Sequence, residues 1–140
     1  MSAFVADTSV VLAWCFEDEA AIWTDGLLDR LRRGDPIMVP AHWPVEVSNG
    51  MLMALRRKRI QAGRSQLFWD ELAELPITVE PPLSFQQAKV VGALCEQYGL
   101  TIYDGVYLEL AKRRGLPLAT LDRDLIKAAP LAGVTLIPQP

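Results

Sequence analysis

Four carboxylates stand where apolar stretches of this chain end and turn: Asp7 after "AFVA", Glu46 after "PAHWPV", Asp104 ahead of an apolar helical pattern, and Asp122 behind "PLATL". Each alone has an ordinary explanation, because a carboxylate in the first turn of a helix satisfies unpaired N–H groups and is favoured by the helix dipole. A cluster of them does not. Carboxylates about 4 Å apart repel by roughly 1 kcal/mol in water and nearer 4 kcal/mol at an effective dielectric of 20, so they persist together only with protons or a cation. An all-oxygen donor set selects Mg²⁺, or Mn²⁺, over zinc. Magnesium shares phosphate oxygens with its substrate, which points to phosphate chemistry. Two divalent ions about 3.5 to 4 Å apart would neutralise four carboxylates, one activating water and the other stabilising the leaving oxygen.

Other chemistries find fewer parts. His42 is the only histidine, and "PAHWP" offers no adjacent nucleophile, so it reads as an ordinary loop or hydrogen-bonded histidine. There is no G-x-S-x-G, G-x-G-x-x-G, P-loop or H-E-x-x-H. An aspartyl-phosphate phosphohydrolase would use Asp7 as nucleophile, but Ser9 stands where the haloacid-dehalogenase type usually has a second Asp. Cys15 and Cys95 sit apart inside apolar patterns and read as buried thiols.

The elements that position these acids follow from period and punctuation. Strands are expected at 3–7, 36–40, 77–80, 117–121 and 134–137, alternating with helices: one from Val10 capped by Thr8 or Ser9, one from about Ala20 to Arg33, and one with Pro44 in its first turn. Further helices are expected at 65–75, from Ser84 to Gly99 with Phe85, Val91, Leu94 and Cys95 on its apolar stripe, from about Tyr103 to Arg114, and from Asp122 to Ala129. Nearly all-apolar strands alternating with helices specify an α/β fold: a parallel sheet of about five strands, flanked by helices on both faces. Ligands bind such sheets at the carboxyl ends of the strands, the edge at which all four acids are expected.

A length of 140 residues with 51% apolar content suits one domain spanning 1–140. A net charge of −3 provides no global field for nucleic acid, but basic residues cluster as Arg30-Leu31-Arg32-Arg33, Arg56-Arg57-Lys58-Arg59 with Arg64, Lys112-Arg113-Arg114, and Arg123 with Lys127, each of which reads first as a solvated helix face or a favourable last turn. Trp14, Trp23, Trp43 and Trp69 divide between core and partner surfaces. The start lacks a basic leader and Val10 to Phe16 is too short to span a bilayer, so a cytoplasmic protein with no membrane association is expected.

With "FVADTSVVLAW", "PVEVSNGML" and "YDGVYLELAKRRGLPLATLDRDL" in this order, the chain resembles the PIN-domain ribonucleases, specifically the VapC-type toxins of toxin–antitoxin pairs. The resemblance implies Mg²⁺-dependent hydrolysis of RNA, usually a transfer or ribosomal RNA, a homodimer, and a cognate antitoxin that blocks the acidic site. It places the four family acids on Asp7, Glu46, Asp104 and Asp122, with Ser9, Asn49, Thr120 and Asp124 supporting them, and it leaves Arg113, Arg114 and Arg123 to hold the RNA backbone. Gly105 stands where the family usually has Ala. A DNA or RNA-processing nuclease of the same fold, and a noncatalytic partner-binding module, are the alternatives.

Overall fold

The computed structural model describes residues 2–16 and 21–139. Four strands, β1 (Phe4–Ala6), β2 (Ile37–Val39), β3 (Ile77–Val79) and β4 (Leu118–Ala119), form one parallel sheet in the order β3-β2-β1-β4. Seven helices flank it among the described residues: α1 (Thr8–Ala13), α2 (Ile22–Arg32), α3 (Trp43–Arg56), α4 (Ala62–Ala73), α5 (Phe85–Tyr98), α6 (Ile102–Arg114) and α7 (Arg123–Leu131). Parallel neighbours need crossover connections, and helices supply each of them.

The central strand β1 pairs with β2 through Phe4↔Ile37 and Val5↔Met38, and with β4 through Val5↔Leu118 and Ala6↔Ala119. Phe4, Val5, Ala6, Ile37, Val39, Leu118 and Ala119 are fully buried, which accounts for strands without polar alternation. Behind them α6 is buried continuously from Gly105 to Ala111. No helix among the described residues is long and apolar enough to cross a membrane.

Several sequence expectations change. The sheet has four strands rather than about five, because 134–137 contributes only a parallel bridge, Leu118↔Leu136. β4 is two residues long and offers few ladder positions, and Pro138 has no N–H to continue the pairing. Helix α1 starts at Thr8 rather than Val10, since Asp7 itself is the cap, accepting from the Val10 N–H at 3.3 Å. Helix α4 occupies Ala62–Ala73 instead of 65–75, while the expected start of α2 near Ala20 lies outside the described residues. Phe85, assigned to the apolar stripe of α5, is 98% exposed, because it is the first residue after the Ser84 cap and projects beyond the packed turns. Trp43 is buried, and Trp14, Trp23 and Trp69 pack partly buried against the core. Cys15 and Cys95 are free and buried, and burial pushes both thiols up.

Candidate active site

Asp7 leaves β1 at its carboxyl end, where its N–H donates to the Ala119 carbonyl at 3.1 Å. It is 4% exposed, so its carboxylate must find partners inside the protein. The Ser9 hydroxyl donates to Oδ1 and the Thr120 hydroxyl to Oδ2, each at 2.5 Å. Those two oxygens also accept backbone N–H groups from the turn between β4 and α7, Ser9 from Leu121 at 3.1 Å and Thr120 from Asp122 at 2.9 Å. Asp7 is therefore bolted to the turn that carries Asp122. Burial raises its pKa to about 6, the Ser9, Thr120 and Val10 donors lower it, and the Asp122 charge raises it.

Glu46 lies in the first turn of α3, set there by Pro44 near the helix start. Three donors meet its Oε1: the Tyr107 hydroxyl at 2.6 Å, the Thr8 hydroxyl at 3.0 Å and His42 Nε2 at 3.2 Å. The Thr8 and Tyr107 oxygens are themselves 2.8 Å apart, so two hydroxyl protons serve three oxygen–oxygen contacts. Burial opposes ionisation of Glu46, but the bonds from His42, Tyr107 and Thr8 and the His42 charge overcome it, and the carboxyl sits below its usual range. Burial and the Glu46 carboxylate push the Tyr107 phenol far up, keeping it a donor. His42 is held between α3 and α6, its Nε2 also 3.2 Å from the Tyr103 carbonyl and its ring edge-on to Tyr107.

Asp104 opens α6, whose cap is Thr101; the Asp104 N–H donates to the Thr101 hydroxyl at 3.2 Å. Burial raises its carboxyl, and so do the charges of Asp122, Glu46 and Asp124, against the Thr101 bond. Asp122 caps α7 by accepting from the Leu125 N–H at 3.0 Å, and Asp124, two residues on, is exposed in the first turn. Four acids from four elements thus feel one another electrostatically at one sheet edge. Among the described residues no three His, Cys, Asp or Glu side chains are grouped closely enough to hold a metal ion, so the acids are related by their charges rather than by a common centre. Two of them, Asp7 and Asp104, are held up in pKa by burial and by like charge, and oxygen-only side chains of this kind are the donors a hard divalent cation takes.

The remaining expected residues are distributed differently. Asn49 is exposed on α3 one turn beyond Glu46. Arg123 is exposed at the first position of α7, next to Asp122. Arg113 and Arg114 are not drawn to the carboxylates: they lie about 14 Å along α6 from Asp104, where Arg113 Nε meets Glu109 at 2.8 Å and Arg114 Nη2 meets Glu80 at 2.8 Å. Both acids are buried, so the arginines answer an internal charge requirement. Thr8, Tyr107 and His42 are residues that sequence reasoning missed. Tyr107 stands three residues after Asp104, hence on the same face of α6, and that spacing was the available signal.

The PIN domain family model matches residues 4–131. Ribonuclease VapC3 of Pyrobaculum aerophilum is 25% identical over 126 residues, covering 90% of this chain and 94% of that protein. Among solved structures, the crystal structure of PAE2754 from Pyrobaculum aerophilum aligns with a TM-score of 0.69 at 22% identity, covering 91% of this chain and 79% of that one. The crystal structure of FitAcB from Neisseria gonorrhoeae aligns with a TM-score of 0.62 at 15% identity, covering 99% and 97%. Both likenesses concern the fold. A match running from β1 to the last residue of α7 takes in every element that supplies one of the four acids, and by it the chain belongs to the PIN domain family.

Proposed function

We propose that this chain is a metal-dependent endoribonuclease, a nuclease unit across residues 1–140 that acts as the toxin of a type II toxin–antitoxin pair. The observation that carries the reading is the meeting of Asp7, Glu46, Asp104 and Asp122, from four elements, at one edge where burial and mutual repulsion leave Asp7 and Asp104 short of a counter-charge. The relative named a ribonuclease supports RNA as the substrate class. Asp7, Glu46, Asp104 and Asp122 would hold Mg²⁺, with Mn²⁺ as substitute. The cation, when bound, supplies an acidified water and charge neutralisation at the phosphate.

The protein's own contribution is positional. Ser9 and Thr120 hold both oxygens of Asp7, while Tyr107, Thr8 and His42 hold Oε1 of Glu46, so neither carboxylate has to be ordered when substrate arrives. Asn49, exposed one turn beyond Glu46, and Asp124, whose charge acts on Asp104, would support the acids from outside. Arg123 suits backbone contact best among the expected arginines, since a cation at a helix N-terminus gains nothing from the dipole. A cognate antitoxin that covers the acidic edge, a homodimer, a structured RNA substrate of the transfer or ribosomal class and a cytoplasmic setting complete the reading.

The test is cleavage of a labelled pool of cellular RNA in Mg²⁺ by wild-type protein and Asp104→Asn, both freed of bound partner. Discrete cuts by wild type alone are expected. Cutting of DNA but not RNA transfers the activity to another substrate, and equal cutting by both proteins removes Asp104 from the site.

A further inference from the structure

A groove of about 290 Å³ runs between α1 and α3, lined by Ser9, Leu12, Phe16, Met53, Arg57 and Arg59 among others. It begins at the candidate active site, because Ser9 is the residue whose hydroxyl donates to Asp7. It ends at cations. Arg57, the C-cap of α3, lies about 16 Å along the helix from Glu46. Its walls are mixed, with Leu12, Met53 and Ala54 between Ser9 and the arginines, and Gly50 lets them approach: a Cβ there would stand 2.5 Å from Leu12 Cδ1. At the far end Lys58 takes a left-handed backbone, φ 58°, and the turn brings Arg59 back so that its guanidinium lies 4.4 Å over the Phe16 ring.

The helix dipole accounts for cations at the end of α3, but not for the Leu12 and Met53 side chains that line a groove between those cations and Ser9, the residue that holds Asp7. Bases stack on apolar surfaces and on guanidinium planes, while phosphates seek exposed cations. We propose that the groove between α1 and α3 is a nucleotide subsite for single-stranded RNA, in which Leu12 and Met53 receive one base and Arg57 its phosphate, on the strand leading away from the carboxylates. This rests on the nuclease reading for its substrate class.

Binding separates the two claims. Affinity of the Asp104→Asn protein for a fluorescent single-stranded RNA oligonucleotide in Mg²⁺ is measured across salt concentrations, without turnover. Adding Arg57→Ala should weaken binding about tenfold and lower the salt slope by about 0.7, the value for one phosphate contact on a single strand. Adding Met53→Ala should weaken binding about fivefold with the slope unchanged, a base-stacking signature. Lys89→Ala, which removes an exposed cation on α5, should do neither. Wild-type affinity in both groove variants overturns the subsite even where cleavage by the parent enzyme stands, and a duplex that binds and responds as the single strand does overturns the seating of a base. Groove-dependent binding by a protein that cuts no RNA would instead sink the nuclease reading and keep the groove.

Discussion

Burial lifts the Asp7 carboxyl from its ordinary 3.8 to about 6 although Ser9, Thr120 and the Val10 N–H all favour the anion. A carboxyl raised in the folded state holds its proton more tightly there than in the unfolded chain. Its contribution to stability is therefore complete below about pH 4 and is lost as pH rises through about 6, on the order of 3 kcal/mol for two units. Without metal, urea midpoints should fall across this window, and Asp7→Asn should flatten that part of the profile; an unchanged slope in the variant would assign the effect elsewhere. The acid itself was legible in the sequence because a polar residue closing an apolar strand is conspicuous. Its neighbours were not. Thr8 and Tyr107 reach Glu46 from α1 and α6, a meeting that depends on strand order, whereas His42, the N-cap of α3, stands four residues before Glu46 and its pairing was open to local reading. Arg114 misled for the reason that hid Thr8 and Tyr107, since its partner Glu80 is 34 residues away, whereas Arg113 pairs with Glu109 four residues before it on α6.

At the scale of elements, α5 and α6 pack so closely that a Cβ on Gly105 would stand within bonding distance of Cys95 Sγ. The thiol points at α6 and donates to the Thr101 carbonyl at 3.3 Å. Helix propensity alone says that Ala at 105 should stabilise by about 1 kcal/mol. Packing decides otherwise, as overfilling a tight contact costs about 1 to 3 kcal/mol. Gly105→Ala should therefore destabilise the protein, and Cys95→Ala should reverse the sign of that change; denaturation of the two single variants and the double variant measures the coupling, and additivity would dismiss the contact. Helices α3, α5 and α6 were readable from Pro44, Ser84, Gly99 and Gly115, whose roles at helix ends are local. The segment 134–137 was not, because its apolar pattern is satisfied by burial of Val134 and one bridge as well as by a strand.

For the molecule as a whole, charge is the governing quantity. Removing the four site carboxylates from the balance turns the formal net charge from −3 to +1. The net negative charge of the chain is thus smaller than the charge of these four acids, and neutralising them leaves a protein that tolerates a polyanion. Mg²⁺ should stabilise the native state at neutral pH by about 2.7 kcal/mol at one hundred times its dissociation constant, seen as a rise in Tm, with most of the rise gone in Asp7→Asn combined with Asp104→Asn. A Tm indifferent to Mg²⁺ would return the acids to helix capping. The global architecture was the most legible level, since alternation of apolar strands with helices leaves a parallel sheet as the consistent arrangement.

The contact between residues 95 and 105 also constrains descent. Ala at 105 costs less where 95 has already become smaller, and a thiol at 95 costs less where 105 is already Gly. A lineage passes between the two pairings at lower cost through the small–small intermediate than through the large–large one. The order of the two substitutions is therefore weighted by packing, next to an aspartate of the candidate site.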